Sequence, residues 1–218
     1  GGASSITGLS DALVEDNSIY VGNDPSSTTS TAQNNVGLGI DVMDAITTGD
    51  ENTAVGKDAL KALTSGEHNV AIGYQALVSN TTGGHNTGLG YRSLYSNTTG
   101  LYNHASGAMS LMLNTSGSNN VGVGMWAMYE NTTGGENTAV GRDALKNNTT
   151  ADQNSAFGYQ ALYQNTTGAR NIAVGKGALD GPDTENDNLA IGFDALGGSI
   201  AGGEYNIAIG NYSLDANT

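Results

Sequence analysis

Asn52-Thr53-Ala54-Val55-Gly56-Lys57-Asp58-Ala59-Leu60 returns seventeen residues later as Asn69-Val70-Ala71-Ile72-Gly73-Tyr74-Gln75-Ala76-Leu77. The leading asparagine recurs as Asn35, Asn52, Asn69, Asn86, Asn103, Asn120, Asn137, Asn154, Asn171, Asn188 and Asn206, nine intervals of 17 and one of 18. A repeat this short is one coil of a stacked architecture, so period matters more than total length. Three residues after each asparagine stands an apolar residue, from Leu38 and Val55 to Ile191 and Ile209, broken only by Ser106. A glycine follows in every coil: Gly39, Gly56, Gly73, Gly90, Gly107, Gly124, Gly141, Gly158, Gly175, Gly192 and Gly210, with Gly22 one period earlier. A glycine required at every turn implies positive φ or an approach too close for a Cβ.

Four residues beyond each glycine is a second bulky column, Met43, Leu60, Leu77, Leu94, Leu111, Met128, Leu145, Leu162, Leu179, Leu196 and Leu214, preceded by small residues such as Ala59 and Ala144. Each coil thus offers two short apolar stretches joined by a polar turn, and the economical reading is two short strands per coil, with a turn as the alternative for the Ala-Leu segment. The recurrent glycines and the Asn-Thr-Thr-Gly turns leave fewer than about ten residues for a helix, and helix-pair repeats run to about 33 or more. The expected fold is therefore all-β, a repetitive β-solenoid or β-roll with 17-residue coils. Its glycine-marked turns, stacked at about 4.8 Å, give a rod roughly 55 Å long. Residues 35–218 form the array; residues 1–34 read as a cap or connector, with a short neck over Leu9–Asp16 and a polar loop over Ser26–Thr31. The chain is expected to be a fragment of a longer fibre.

The 33 glycines, 2 prolines and 6% aromatic content suit thin layers better than a large core. A coil of Ala, Val, Gly and Leu encloses little volume, so partner chains are expected to complete it. The net charge of −14 opposes nucleic acid and anionic membrane, and no apolar run approaches the ~18 residues of a membrane span. No cysteine is present, which excludes disulfides and thiolate metal sites.

The motif N-x-A-(V/I)-G-x-x-(A/S)-L resembles the head repeats of YadA-like trimeric autotransporter adhesins. It is still more similar to the N-T-T-G-x-x-N-T-A-(V/I)-G-Y-x-A-L arrays of phage tail fibres, over about residues 17–218. That resemblance implies a homotrimeric left-handed β-roll in an elongated virion or extracellular fibre, joined to adjoining fibre segments. The adhesin repeat is usually shorter than 17 residues, and neither a membrane anchor nor a self-cleaving chaperone is read here.

Chemistry is sparse. Polysaccharide cleavage needs carboxylates about 5 to 9.5 Å apart. The column two after the glycine holds Asp41, Asp58, Asp143 and Asp194 beside Gln75, Arg92, Trp126 and Tyr212, which reads as a solvated face. Asp41 with Asp58, and His68 with His85, lie one coil apart as weak cation candidates; the expectation is no metal, no cofactor and no catalysis. The Asn-x-Thr triplets at Asn80, Asn97, Asn131 and Asn165 match a glycosylation pattern, but their spacing marks them as turn residues. Tyr74, Tyr91, Trp126 and Tyr159 are the candidate receptor contacts, with Tyr95, Tyr129 and Tyr163 beside them, because aromatic rings stack on sugars and anchor interfaces; packing between the chains of a trimer is the alternative role. A host-surface glycan or protein is the expected external partner. The function read is a tail-fibre shaft or receptor-binding rod; a bacterial adhesin head, a tailspike-type enzyme and an ice-binding solenoid are the rivals.

Overall fold

A computed structural model describes residues 12–15, 17–22, 25, 28, 31–181, 184–198 and 203–215. Two N-terminal strands, β1 (Ala12–Glu15) and β2 (Ser18–Val21), pair antiparallel. Eleven three-residue strands follow: β3 (Val36–Leu38), β4 (Thr53–Val55), β5 (Val70–Ile72), β6 (Thr87–Leu89), β7 (His104–Ser106), β8 (Val121–Val123), β9 (Thr138–Val140), β10 (Ser155–Phe157), β11 (Ile172–Val174), β12 (Leu189–Ile191) and β13 (Ile207–Ile209). From β2 onward each strand pairs in parallel with the next in sequence, giving one sheet in chain order. Register is locked to the repeat, Thr53 opposite Val70 and Ala54 opposite Ala71. Twelve parallel strands at about 4.8 Å spacing make a rod about 53 Å long. The parallel ladder thus reaches back to β2, inside the segment read as connector. The neck and polar-loop readings fall largely outside the described residues, apart from β1, Thr28 and Thr31.

Numbering each coil from its asparagine as position 1, the strand occupies positions 2 to 4 and the glycine position 5. The expected second strand does not form: the Ala-Leu segment at positions 8 and 9 is a turn. An extended chain sends successive side chains to opposite faces, yet Ala59 and Leu60, Ala76 and Leu77, and Ala144 and Leu145 are all fully buried. Left-handed residues resolve the conflict. Leu60 at φ 50° and its counterparts through Leu214 swing a second consecutive side chain inward, after a first left-handed step at Asp58 (φ 59°). A left-handed leucine costs about 1–2 kcal/mol, against about 1.5–3 kcal/mol for burying its side chain. The turn also stays in the ladder: Leu60 donates its N–H to Ala76 at 3.1 Å, and Asp58 donates to Ile40 at 2.9 Å. At the corner, a Cβ on Gly56 would lie 2.5 Å from the Gly73 carbonyl oxygen, and φ there is 131°. Only glycine fits.

The single chain closes its own core, which corrects the expectation that partner chains complete it. In every coil before the last, the position-3 alanines, the Ala-Leu pairs and two columns of asparagine fill the coil interior with almost no residual exposure. Polar filling makes this possible in so small a coil. Each position-1 asparagine caps the next through its side-chain oxygen: Asn120 Oδ1 accepts the Asn137 N–H at 3.0 Å and its Nδ2 at 3.2 Å. A second column begins at Asn80 and runs through Asn97, Asn114, Asn131 and Asn148 to Asn165, with Asn131 Nδ2 to Asn114 Oδ1 at 2.8 Å. The two columns meet on the corner carbonyl at position 15, where Gly134 accepts from Asn120 at 2.8 Å and from Asn131 at 2.9 Å. Upstream, Ile46 and Leu63 occupy that second column with apolar side chains. Downstream the sequence places Pro182 there, and Asn165 Oδ1 is left without a donor.

Candidate functional site

The candidate receptor tyrosines stand at position 6, just past the glycine corner, where the chain turns away from the sheet. Tyr74, Tyr91 and Tyr159 are each about 40% exposed. One coil apart, Tyr74 and Tyr91 stack with ring centroids at 5.7 Å. The Arg92 guanidinium lies over Tyr91 at 5.1 Å and over Tyr95 at 5.2 Å. Trp126, at position 7, belongs to a separate patch: Lys146 sits 4.9 Å and Arg142 5.3 Å from its ring, and Lys146 also reaches Tyr163. Its indole N–H donates to Met109 Sδ at 3.4 Å. The tyrosines and the tryptophan therefore form two cation-flanked aromatic patches, with Tyr159 two coils beyond Trp126.

Position 7 is not the uniformly solvated face expected. Asp58 and Asp143 are buried, each gripped by two cations. Lys57 and Lys61 approach Asp58 at 3.2 and 3.4 Å; Arg142 and Lys146 approach Asp143 at the same two distances. Sequence supplies the clamp twice, as Gly-(Lys/Arg)-Asp-Ala-Leu-Lys. Burial pushes the Asp58 carboxyl up, but its hydrogen bonds and charge contacts with both lysines outweigh this and hold it below the ordinary range. Asp41, half-exposed, binds Lys61 at 2.9 Å, so an ammonium occupies the space between Asp41 and Asp58 considered for a cation. Near the far end, burial and then the charges of Asp194 and Asp215 raise the Asp180 carboxyl.

At position 17, His68 and His85 stack face to face at 4.6 Å, and His85 stacks on Tyr102 at 4.8 Å. His68 Nε2 meets Glu51 at 2.9 Å. Among the described residues no three His, Asp or Glu side chains converge to hold a metal ion, and no helix is long and apolar enough to cross a membrane. The asparagines of the Asn-x-Thr triplets are fully buried, with Nδ2 bonded to a corner carbonyl, as in Asn80 to Gly83 at 2.8 Å. The folded rod shields those amides from a transferase. In the threonine pairs the first hydroxyl is tied to the next coil, as in Thr81 to the Thr98 carbonyl at 3.1 Å, and the second is exposed. The arc therefore presents one hydroxyl column.

Sequence reasoning missed two surfaces. Positions 2 and 4 point out of the sheet: position 4 is apolar in every coil except at Ser106, while position 2 mixes apolar residues with Thr53, Thr87, His104, Thr138 and Ser155, and Val36, Leu38, Ile72, Phe157, Ile172, Val174, Ile191, Ile207 and Ile209 are all at least 37% exposed. The signal of this apolar stripe lay in the alternation of position 3, always small, between two bulkier neighbours. The other is a polar cleft across the coils of Asn119, Glu136 and Gln153, for which the period gave no cue. No family model matches this chain, and neither a curated protein nor a solved structure matches it.

Proposed function

We propose that this chain is a rigid, non-catalytic rod segment of a homotrimeric extracellular or virion fibre, of the tail-fibre shaft or receptor-binding type. The observation that carries this reading is the apolar stripe on the outer face of the sheet. Contiguous exposed apolar surface of this extent marks an interaction face. Positions 2 to 4 span about 7 Å, and along a rod of about 53 Å the face covers on the order of 350 Å², about half of the roughly 800 Å² that each partner buries in a stable interface, so each rod also meets its neighbours through the columns that flank the stripe. The occupant that fits best is a second copy, because only an identical rod repeats its apolar columns at the same spacing over the full length. Three rods with their stripes turned inward leave the acidic position 16 and 17 edge, with Asp50, Glu51, Glu67, Glu136, Asp152 and Asp187, facing solvent. The two cation-flanked aromatic patches around Tyr91 and Trp126 are the receptor contacts in this reading, with Tyr159 two coils beyond Trp126. An adhesin head would share the architecture; a membrane anchor elsewhere in the full protein would favour it.

Light scattering on the 218-residue chain tests the proposal. A mass three times the 22.1 kDa of one chain is expected, falling to one chain in a double variant Ile72→Asp, Val174→Asp whose circular dichroism is unchanged. A monomeric wild type at tens of micromolar would end the trimer reading.

A further inference from the structure

On the flank opposite in sequence to the aromatic patches, a cleft of about 370 Å³ spans three successive coils. It opens because position 16 is Gly135, flanked one coil away on each side by Ser118 and Asp152. Where Gly84 occupies the same position, the Leu101 side chain of the next coil reaches over it. Exposed hydroxyls of Ser116 and Thr133 stand on one side of the floor, and Asn119 and Glu136 on the other.

The chemistry of the lining is uniform. Carboxylates, amides and hydroxyls surround the cleft, and no cation and no apolar side chain contributes. The acceptors are already oriented: the Gly135 N–H donates to Asp152 Oδ1 at 2.7 Å, and Gln153 Nε2 donates to Glu136 Oε2 at 3.0 Å. Each carboxylate keeps its second oxygen for an outside donor. A sulfated, phosphorylated or sialylated ligand would meet two negative charges with nothing to balance them. A ligand rich in neutral O–H donors would meet a matching set of acceptors. One coil before the cleft, Leu101 and Tyr102 are exposed, and the Tyr102 ring is fixed by stacking one face on His85 at 4.8 Å. An apolar platform beside a polar cleft matches a pyranose, which has a C–H face and a hydroxyl edge. Successive sugars of an extended chain would fall on successive coils of the roughly 4.8 Å ladder.

We propose that this flank binds a neutral oligosaccharide lying along the rod axis, one sugar edge-on in the cleft at Gly135, the next beside Asn119 and the one after it against Tyr102. The cleft lies within one chain and uses side-chain columns other than the apolar stripe, so binding holds whether or not the rods associate. The test is an array of immobilised neutral, sulfated and sialylated oligosaccharides probed with the full 218-residue chain, followed by calorimetry on the neutral probes retained. Neutral oligosaccharides are expected to bind, with affinity falling at least tenfold in Glu136→Ala and in Tyr102→Ala. Tyr205→Ala, which removes an exposed ring several coils from the cleft, should bind as wild type. Thermal midpoints and the milder Glu136→Gln guard against loss of fold. Retention of no neutral probe, retention of sulfated or sialylated probes alone, or binding lost in Tyr205→Ala but kept in Glu136→Ala would each overturn the proposal.

Discussion

Replacing Asn120 by alanine should be among the most damaging single changes in the rod, although it removes only a small polar side chain. Asn120 Oδ1 is the acceptor for the Asn137 N–H at 3.0 Å, and the bond lies inside a column without solvent exposure. Its loss leaves that N–H buried and unpaired, at about 1–3 kcal/mol. Three further bonds vanish with the amide, to Asn103, Asn137 and Gly134. Some partners retain alternatives: Gly134 still accepts from Asn131, and Asn137 Nδ2 still reaches the Ala151 carbonyl. With a small cavity added, the total is about 3–5 kcal/mol. For a domain of this size that lowers the thermal midpoint by roughly 10 °C. Asn147→Ala is the control, since Asn147 is partly exposed and its change should stay within about 0.5 kcal/mol. Urea and thermal unfolding followed by circular dichroism would measure both. A destabilisation under about 1 kcal/mol for Asn120→Ala, or equal effects for the two variants, would refute the claim that the asparagine columns are core.

Other perturbations separate the remaining elements. Gly56→Ala forces a Cβ against the Gly73 carbonyl at positive φ and should cost about 3 kcal/mol or more, read as a large fall in urea midpoint. Leu145→Ala should cost about 2–5 kcal/mol by opening a cavity in the layer it fills. Because the folded Asp58 carboxyl is depressed, its stabilising share is complete above its unfolded titration and is lost as pH falls through the folded one; Asp58→Asn should therefore weaken the rod at neutral pH and flatten its acid-unfolding limb. Asp180 has the opposite sign: its raised carboxyl destabilises the fold above its titration. Asp180→Asn should thus raise the neutral-pH melting midpoint, with the gain vanishing in mild acid.

Much of the architecture was legible because a solenoid repeats every constraint eleven times. The glycine column announced a corner, and Ala-Leu announced burial. What the residues did not disclose was how two adjacent side chains such as Ala144 and Leu145 both face inward, since propensity gives no hint that leucine will accept a left-handed φ. Tertiary burial overrides the local preference. The asparagines were misleading in another way: Asn80 and Asn131 match turn chemistry, and only the unbroken run from Asn80 to Asn165, in a column that is Ile46 and Leu63 upstream, pointed to a fixed interior environment. Position 17 shows the contrast, passing through Glu51, His68, Tyr102, Gln153 and Arg170 because solvent tolerates all of them. The aspartate clamps were concealed by variety at position 7, where Gln75 and Trp126 occupy the column that buries Asp58 and Asp143. The cleft at Gly135 depends on a departure from the repeat, which a reading built on periodicity discounts.

Mass per unit length, measured by small-angle X-ray scattering, tests the central claim most directly. One chain of 22.1 kDa along about 53 Å amounts to roughly 0.4 kDa per Å. Side-by-side trimeric rods predict an unchanged length with three times that value, about 1.2 kDa per Å. A rod of the same length carrying one chain per cross-section, or a compact particle without a rod cross-section, would contradict it.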